Sequence, residues 1–157
     1  MAINQAMCGS FKKEILAGIH RWTTSSRGDS SSISADTFYV AMFTASRTDA
    51  NEDLTGYTAT NEVTDSGGIY SAGGKALTSV TIGLTDNSSS VPTAFLDFAD
   101  TTWASSTISN ARVAVIYNFS LTNAGTAGTV THAAKPSVAV LDFGGNKSSN
   151  NAVIRIA

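Results

Sequence analysis

Charged side chains are scarce in this sequence. Asp, Glu, Lys and Arg make up 14% of its 157 residues, against about 25% in an average globular protein. The net charge of −2 supplies no basic patch to displace counterions from phosphates, which argues against nucleic acid as a partner. Cysteine is scarcer still. Cys8 stands alone, so no internal disulfide is possible and the fold must hold without covalent staples. Histidine occurs only as His20 and His132, which leaves little for nucleophilic or metal chemistry. No apolar run approaches the roughly 20 residues of a bilayer-spanning helix, so no membrane partner is expected. Residues 1–22 do not read as a signal peptide either, because Lys12, Lys13 and Glu14 interrupt them and no long apolar region follows. The expectation is a protein made and kept in a cytoplasm, or exported by something other than a signal, lysis being one such route.

Ser and Thr fill the gap, at about a quarter of the chain, well above average usage. Short hydroxyl side chains lose little rotamer entropy when another protein covers them, whereas Lys and Glu lose much more. The same composition also suits β-strands and their turns, and the two readings stand side by side. A chain of 157 residues is most simply one domain, 1–157, able to bury about 70% of the surface its unfolded form exposes.

The most continuously apolar run, Val113–Tyr117, reads as a central strand buried on both faces. Val91–Phe98 reads as the strand that opens this central pair, with a polar turn carrying Trp103 between them. Near the start, Phe11, Ile15, Leu16 and Ile19 form one helical stripe, predicting an amphipathic helix over 10–22. Asn4 or Ser10 would cap it, and residues 1–9 would be free to act as an arm. Thr37–Thr44 is apolar on both faces and so interior, while Ala76–Thr85 alternates as a half-exposed strand. Ser137–Phe143 and Ala152–Ile156 are further strands, and Phe119–Lys135 a flexible loop or hairpin. Residues 23–36 and 45–74 read as extended polar loops. In the second, Gly67-Gly68 and Gly73-Gly74 flank Tyr70 and predict sharp turns on either side of one packed aromatic. Polar turns between short strands predict a mainly β fold: an antiparallel β-sandwich or jelly-roll-like single domain with one short N-terminal amphipathic helix.

Chemical motifs are weak throughout. Neither histidine sits in a nucleophile setting, and Gly73-Gly74-Lys75-Ala76 lacks the spacing of a phosphate loop. Cys8, His20 and His132 make no zinc pattern. Asp49, Glu52 and Asp53 lack calcium-loop spacing, and Asp97 and Asp100 give too slight a basis for paired-carboxylate chemistry. Arg27-Gly28-Asp29 matches an adhesion tripeptide, a match common by chance. The expectation is no enzyme, no cofactor and no metal. Leu96-Asp97-Phe98 recurs as Leu141-Asp142-Phe143, each Asp placed to accept turn N–H groups. Trp103 is either a core residue at the sandwich end or, with Tyr57 and Tyr70, a stacking group for glycan or an interface anchor.

Several blocks resemble a family of small virion proteins of tailed bacteriophages and prophages. They are Thr60–Thr64, Tyr70–Leu77, Leu96–Trp103, Ala111–Tyr117 and Ala139–Gly144, in that order along the chain. The resemblance spans about residues 8–156, and the Ser/Gly-rich stretch Gly28–Ala35 and Phe119–Lys135 look longer than its pattern. It implies a structural virion protein, a capsid decoration (cement) protein on the capsid surface whose partners are the major capsid protein and further copies of itself, as a homotrimer. The alternative it leaves open is a tail, connector or head-fibre component that binds host-surface glycan. It supplies no catalytic residues.

Overall fold

The computed structural model describes residues 3–24, 34–64, 66–85 and 91–157. In chain order its elements are β1 (Ala6–Met7), α1 (Gly9–Leu16), β2 (Phe38–Thr44), β3 (Lys75–Ala76), β4 (Thr81–Thr85), β5 (Thr93–Asp97), β6 (Thr101–Ser106), β7 (Ala111–Asn118), β8 (Gly125–Ala127), β9 (Val130–His132), β10 (Ser137–Lys147) and β11 (Ala152–Ile156). The protein is mainly β, with antiparallel sheets and one short helix.

β7 is the middle strand of a five-stranded sheet ordered β1-β10-β7-β2-β3. Its apolar run pairs antiparallel with β2 on one side and β10 on the other. A strand hydrogen-bonded on both edges and apolar on both faces must be covered by two layers, and it is. Over one face, Cys8, Phe11, Ala50 and Leu54 pack on Phe43, Val113, Val115 and Val140, and Trp22 stacks on Phe38 with ring centroids 3.8 Å apart. Over the other, Trp103, Ile108, Val63 and Tyr70 pack on Val40, Met42 and Ala114. The two-stranded sheet of β6 and β11 lies on this second face, with Ile154 and Ile156 turned inward. Val113 and Val115 are fully buried, each worth about 1.5–3 kcal/mol.

The helix is shorter than its stripe predicts, ending at Leu16 rather than at residue 22. Gly18 adopts φ +68°, its N–H bonding the Ile15 carbonyl while Ile19 N–H bonds that of Glu14. This is a Schellman stop, for which a glycine without a Cβ is the natural residue. Phe11 and Glu14 face inward, whereas Leu16 is 89% exposed. The cap position is Cys8 and no side chain caps the start, so neither Asn4 nor Ser10 has the predicted role.

The pairing predicted for the central stretch also differs. β5 pairs with β4 in a separate two-stranded sheet, and β7 takes β2 and β10 instead. Trp103 lies within strand β6, not in a turn. Ala76–Thr85 is not one strand, because Ser79 at φ +54° breaks it between β3 and β4. Residues 45–74 do not reach away from the body: Ala50 and Leu54 enter one core face and Val63 and Tyr70 the other. Gly68, Gly73 and Gly74 take positive φ around Tyr70, and at Gly74 a Cβ would overlap the Val40 carbonyl. Asp142 accepts the Gly144 N–H at 2.8 Å, at a register irregularity in β10 rather than at its end.

Candidate assembly surface

Glu14, His20 and Cys8 are committed to the interior. Glu14 and His20, both buried, meet at 2.8 Å (Oε2 to Nε2). Asn118 Nδ2 lies 3.1 Å from the other imidazole nitrogen and 2.7 Å from Asp36 Oδ2. An amide N–H can only donate, so Nδ1 accepts and Nε2 carries the proton that bonds Glu14. This relay ties the helix end to β7. Cys8 is nearby and fully buried, and burial, with Glu14 as the second cause, pushes its thiol up to about 11. A nucleophilic cysteine needs the opposite shift.

The three aromatic candidates divide between two roles. Trp103 is 2% exposed and packs on Tyr70, so neither offers an open ring face for stacking on sugar. Tyr57 is half-buried and stacks on Tyr117 at 4.3 Å. A residue that sequence reasoning missed links them. Glu62 accepts hydrogen bonds from Tyr57 Oη at 2.5 Å, Tyr70 Oη at 2.7 Å and Gly73 N–H at 2.7 Å. Burial first, then the bond to Glu62, raises both phenols well above their ordinary value. The cluster clamps the 57–74 segment onto the sheet. Its only sequence signal is an acidic residue inside a Thr-rich segment.

The remaining candidates are dispersed. Asp49 pairs with Arg47 at 2.7 Å, and among the described residues no three acidic, His or Cys side chains gather as a metal site. His132 lies in β9, where its Nδ1 is 2.9 Å from the Ala133 carbonyl. Asp100 pairs with Arg155. Arg27-Gly28-Asp29 lies outside the described residues.

The surface carries what the interior does not. In the β4–β5 hairpin, Ile82 faces Leu96 and Leu84 faces Ala94, while Thr81–Asp97, Gly83–Phe95 and Thr85–Thr93 occupy the other side. Residues directly opposite in an antiparallel pair share a face, so Ile82, Leu84, Ala94 and Leu96 form one apolar face. It is uncovered: Ile82 is 55% and Leu84 58% exposed. On the reverse side the Phe95 ring lies over Gly83, where no Cβ would fit. Neither strand pairs with any other strand. The hairpin is fixed at its base by Ala99 N–H to the Thr78 carbonyl and by Phe98 against Trp22. Two isolated strands are marginally stable in water unless something packs on them.

A second apolar feature is a groove of about 560 Å³ beside β11, over the β2-β7-β10 face, where Met42 and Ala111 also line it. Leu141, Phe143, Ile154 and Ile156 line it, and Asp142, Lys147 and Arg155 stand around it. Asp142 is paired with Arg112. A third is the end of α1, where Ile15 and Leu16 are exposed, with Met7 exposed in β1.

No protein family, curated protein or solved structure matches this chain.

Proposed function

We propose that this chain is a structural protein of a tailed-bacteriophage particle: a capsid decoration (cement) protein that binds the major capsid protein lattice and works as an oligomer of itself. One observation carries the reading. The chain buries a double-faced core and still leaves separate apolar surfaces, the β4–β5 hairpin and the end of α1, open to water. Burying such surface is favourable by about 25 cal/mol per Å², and a scaffold this sparsely charged gives little desolvation penalty when covered. A part that exists to be held between neighbours needs these properties. The resemblance to phage virion proteins supplies the particle, and the exposed apolar surfaces supply the reason to assemble.

The lattice contact is assigned to the α1 end. Leu16 projects there from a helix whose other side is locked down by the Glu14–His20 bond, so it meets a partner without rearrangement. Quantitative mass spectrometry of purified particles tests the reading. Hundreds of copies per particle, in fixed ratio to the major capsid protein, are expected. Six or twelve copies would move the chain to the tail or connector. Leu16→Asp should abolish rebinding to particles stripped of the protein.

A further inference from the structure

The strand layer over the second face of the sheet is narrower than the sheet beneath it. The sheet has five strands in the order β1-β10-β7-β2-β3, whereas the ribbon lying on it has two, β6 and β11. β6 is the strand toward β3: Lys75 of β3 donates from Nζ to the Thr102 carbonyl at 2.9 Å, and Trp103 packs on Tyr70 there. β11 is the strand toward β10. One of its edges is bonded to β6, and the other pairs with no strand. The groove of about 560 Å³ runs along that open side, lined from β11 and β10 and by no residue of β6. Ile154 and Ile156 form its wall, and Met42, Ala111, Leu141 and Phe143 form its floor. A further strand of the ribbon would lie in this space.

We propose that this groove accepts one extended peptide segment of a partner protein, which adds to the free edge of β11 as the third strand of the ribbon. Backbone chemistry selects that occupant. A strand edge presents N–H and C=O groups at a fixed repeat, and another extended backbone is what satisfies them in register. The floor selects its side chains. Successive residues of a strand point to opposite faces, so every second residue of the segment meets Met42, Leu141 or Phe143 and should be apolar, while the residues between face water. A segment as long as β11, five residues, spans about 17 Å. The volume of the groove falls within the roughly 300–1,000 Å³ of ordinary ligand sites.

Charge sets the direction of the segment. Two of the three charged side chains at the groove are already neutralised, Arg155 by Asp100 and Asp142 by Arg112. Lys147 forms no ion pair among the described residues, so the groove carries one spare positive charge and favours an acidic residue at that end of the segment. Exposed strand edges are ordinarily guarded by proline, free charges or bulges. β11 has no proline, its one charge is paired, and its register irregularity lies before Ile154, which leaves Ile154–Ile156 regular and open. The assignment stands apart from the particle reading, since it rests on this ribbon and groove alone.

Panning a library of random short peptides against the immobilised full chain is the test. Enriched sequences are expected to alternate apolar and polar residues and to carry an acidic residue at one end. A synthetic peptide of the best sequence should slow hydrogen exchange at the β11 amides and shift the methyl signals of Met42 and Leu141. N-methylation of the peptide reads the mechanism directly, because alternate amides of a strand point to opposite edges. Methylating every second residue should abolish binding in one phase and leave it nearly unchanged in the other. That comparison alters only the peptide, so it does not depend on any protein variant folding. Ile156→Asp should lose the peptide, Val91→Asp should keep it, and Lys147→Glu should weaken it about twofold to fivefold, as for an exposed ion pair. A library that yields no binder overturns the proposal. So do binders without alternation, or a binder that tolerates methylation in both phases. Self-association of the wild type that protects the β11 amides would give the groove to a second copy and overturns it as well. Copy number in particles is read separately, so failure of this site and failure of the decoration reading are told apart.

Discussion

Glu62 ties three separate groups of the 57–74 segment to one carboxylate. Its carboxylate accepts from Tyr57, Tyr70 and the Gly73 N–H, and Tyr70 Oη in turn accepts the Met42 N–H of β2 at 2.8 Å. Tyr117 Oη donates to the Gly73 carbonyl at 2.7 Å, so the segment from Tyr57 to Gly74 is latched to β2 and β7 through one acid. Glu62→Ala removes the acceptor and leaves three donors without it at a half-buried site. A hydrogen bond to a charged group contributes about 1.5–3 kcal/mol net. Three bonds to one carboxylate do not add fully, so a loss of about 4 kcal/mol is expected. Total stability is about 5–15 kcal/mol, so this is a large fraction. At about 2–4 °C per kcal/mol for a chain of this size, Tm should fall by about 8–16 °C. Glu62→Gln keeps the shape and one acceptor oxygen and should lose about half as much. Guanidinium unfolding of both variants, with a double-mutant cycle against Tyr70→Phe, checks the latch. A coupling energy near zero, or a Glu62→Ala protein within about 0.5 kcal/mol of wild type, would refute it, because contacting residues in one network couple by about 0.5–3 kcal/mol.

Two further outcomes follow from buried titrating groups. Burial raises the phenols of Tyr57, Tyr70 and Tyr117 above their ordinary value, so the folded state keeps protons that the unfolded chain loses near pH 10; stability should be intact below about pH 10 and fall as pH rises beyond it, with absorbance at 295 nm stepping up together with the loss of circular dichroism. Cys8, fully buried with its thiol pushed up to about 11, should resist a thiol reagent at pH 8 in the native protein and react fully in denaturant, and modification of the native protein at the rate of a free thiol would mean that the N-terminal layer opens.

Much of the frame was readable from single residues. Val113–Tyr117 announced a middle strand because only a strand covered on both faces can be apolar at every position. Gly67-Gly68 and Gly73-Gly74 announced the turns around Tyr70 because left-handed backbone favours glycine. The apolar stripe continues through Ile19 past the helix's true end because Ile15, Leu16 and Ile19 keep the periodicity, whereas Gly18 is a stop signal that periodicity does not register. The stripe also pointed to the wrong face: Glu14 turns inward because His20 is there to meet it, a pairing across the chain reversal that no periodicity carries. The Thr and Ser around Trp103 suit a turn in sequence, yet Thr is equally at home in a strand such as β6.

The assembly surface was illegible for a different reason. Alternation in Thr81–Thr85 showed that one side of the strand is apolar, and alternation ordinarily means that the apolar side faces the protein's own core. Whether a core is there depends on which strand pairs with which, and the expected partner, β7, had both edges already occupied by β2 and β10. With β7 closed on both sides, β5 pairs with β4 alone, and a two-stranded ribbon cannot cover its own apolar face. That face stays open to water. The saturation of the central strand and the exposure of the hairpin are therefore one fact of topology seen from two ends.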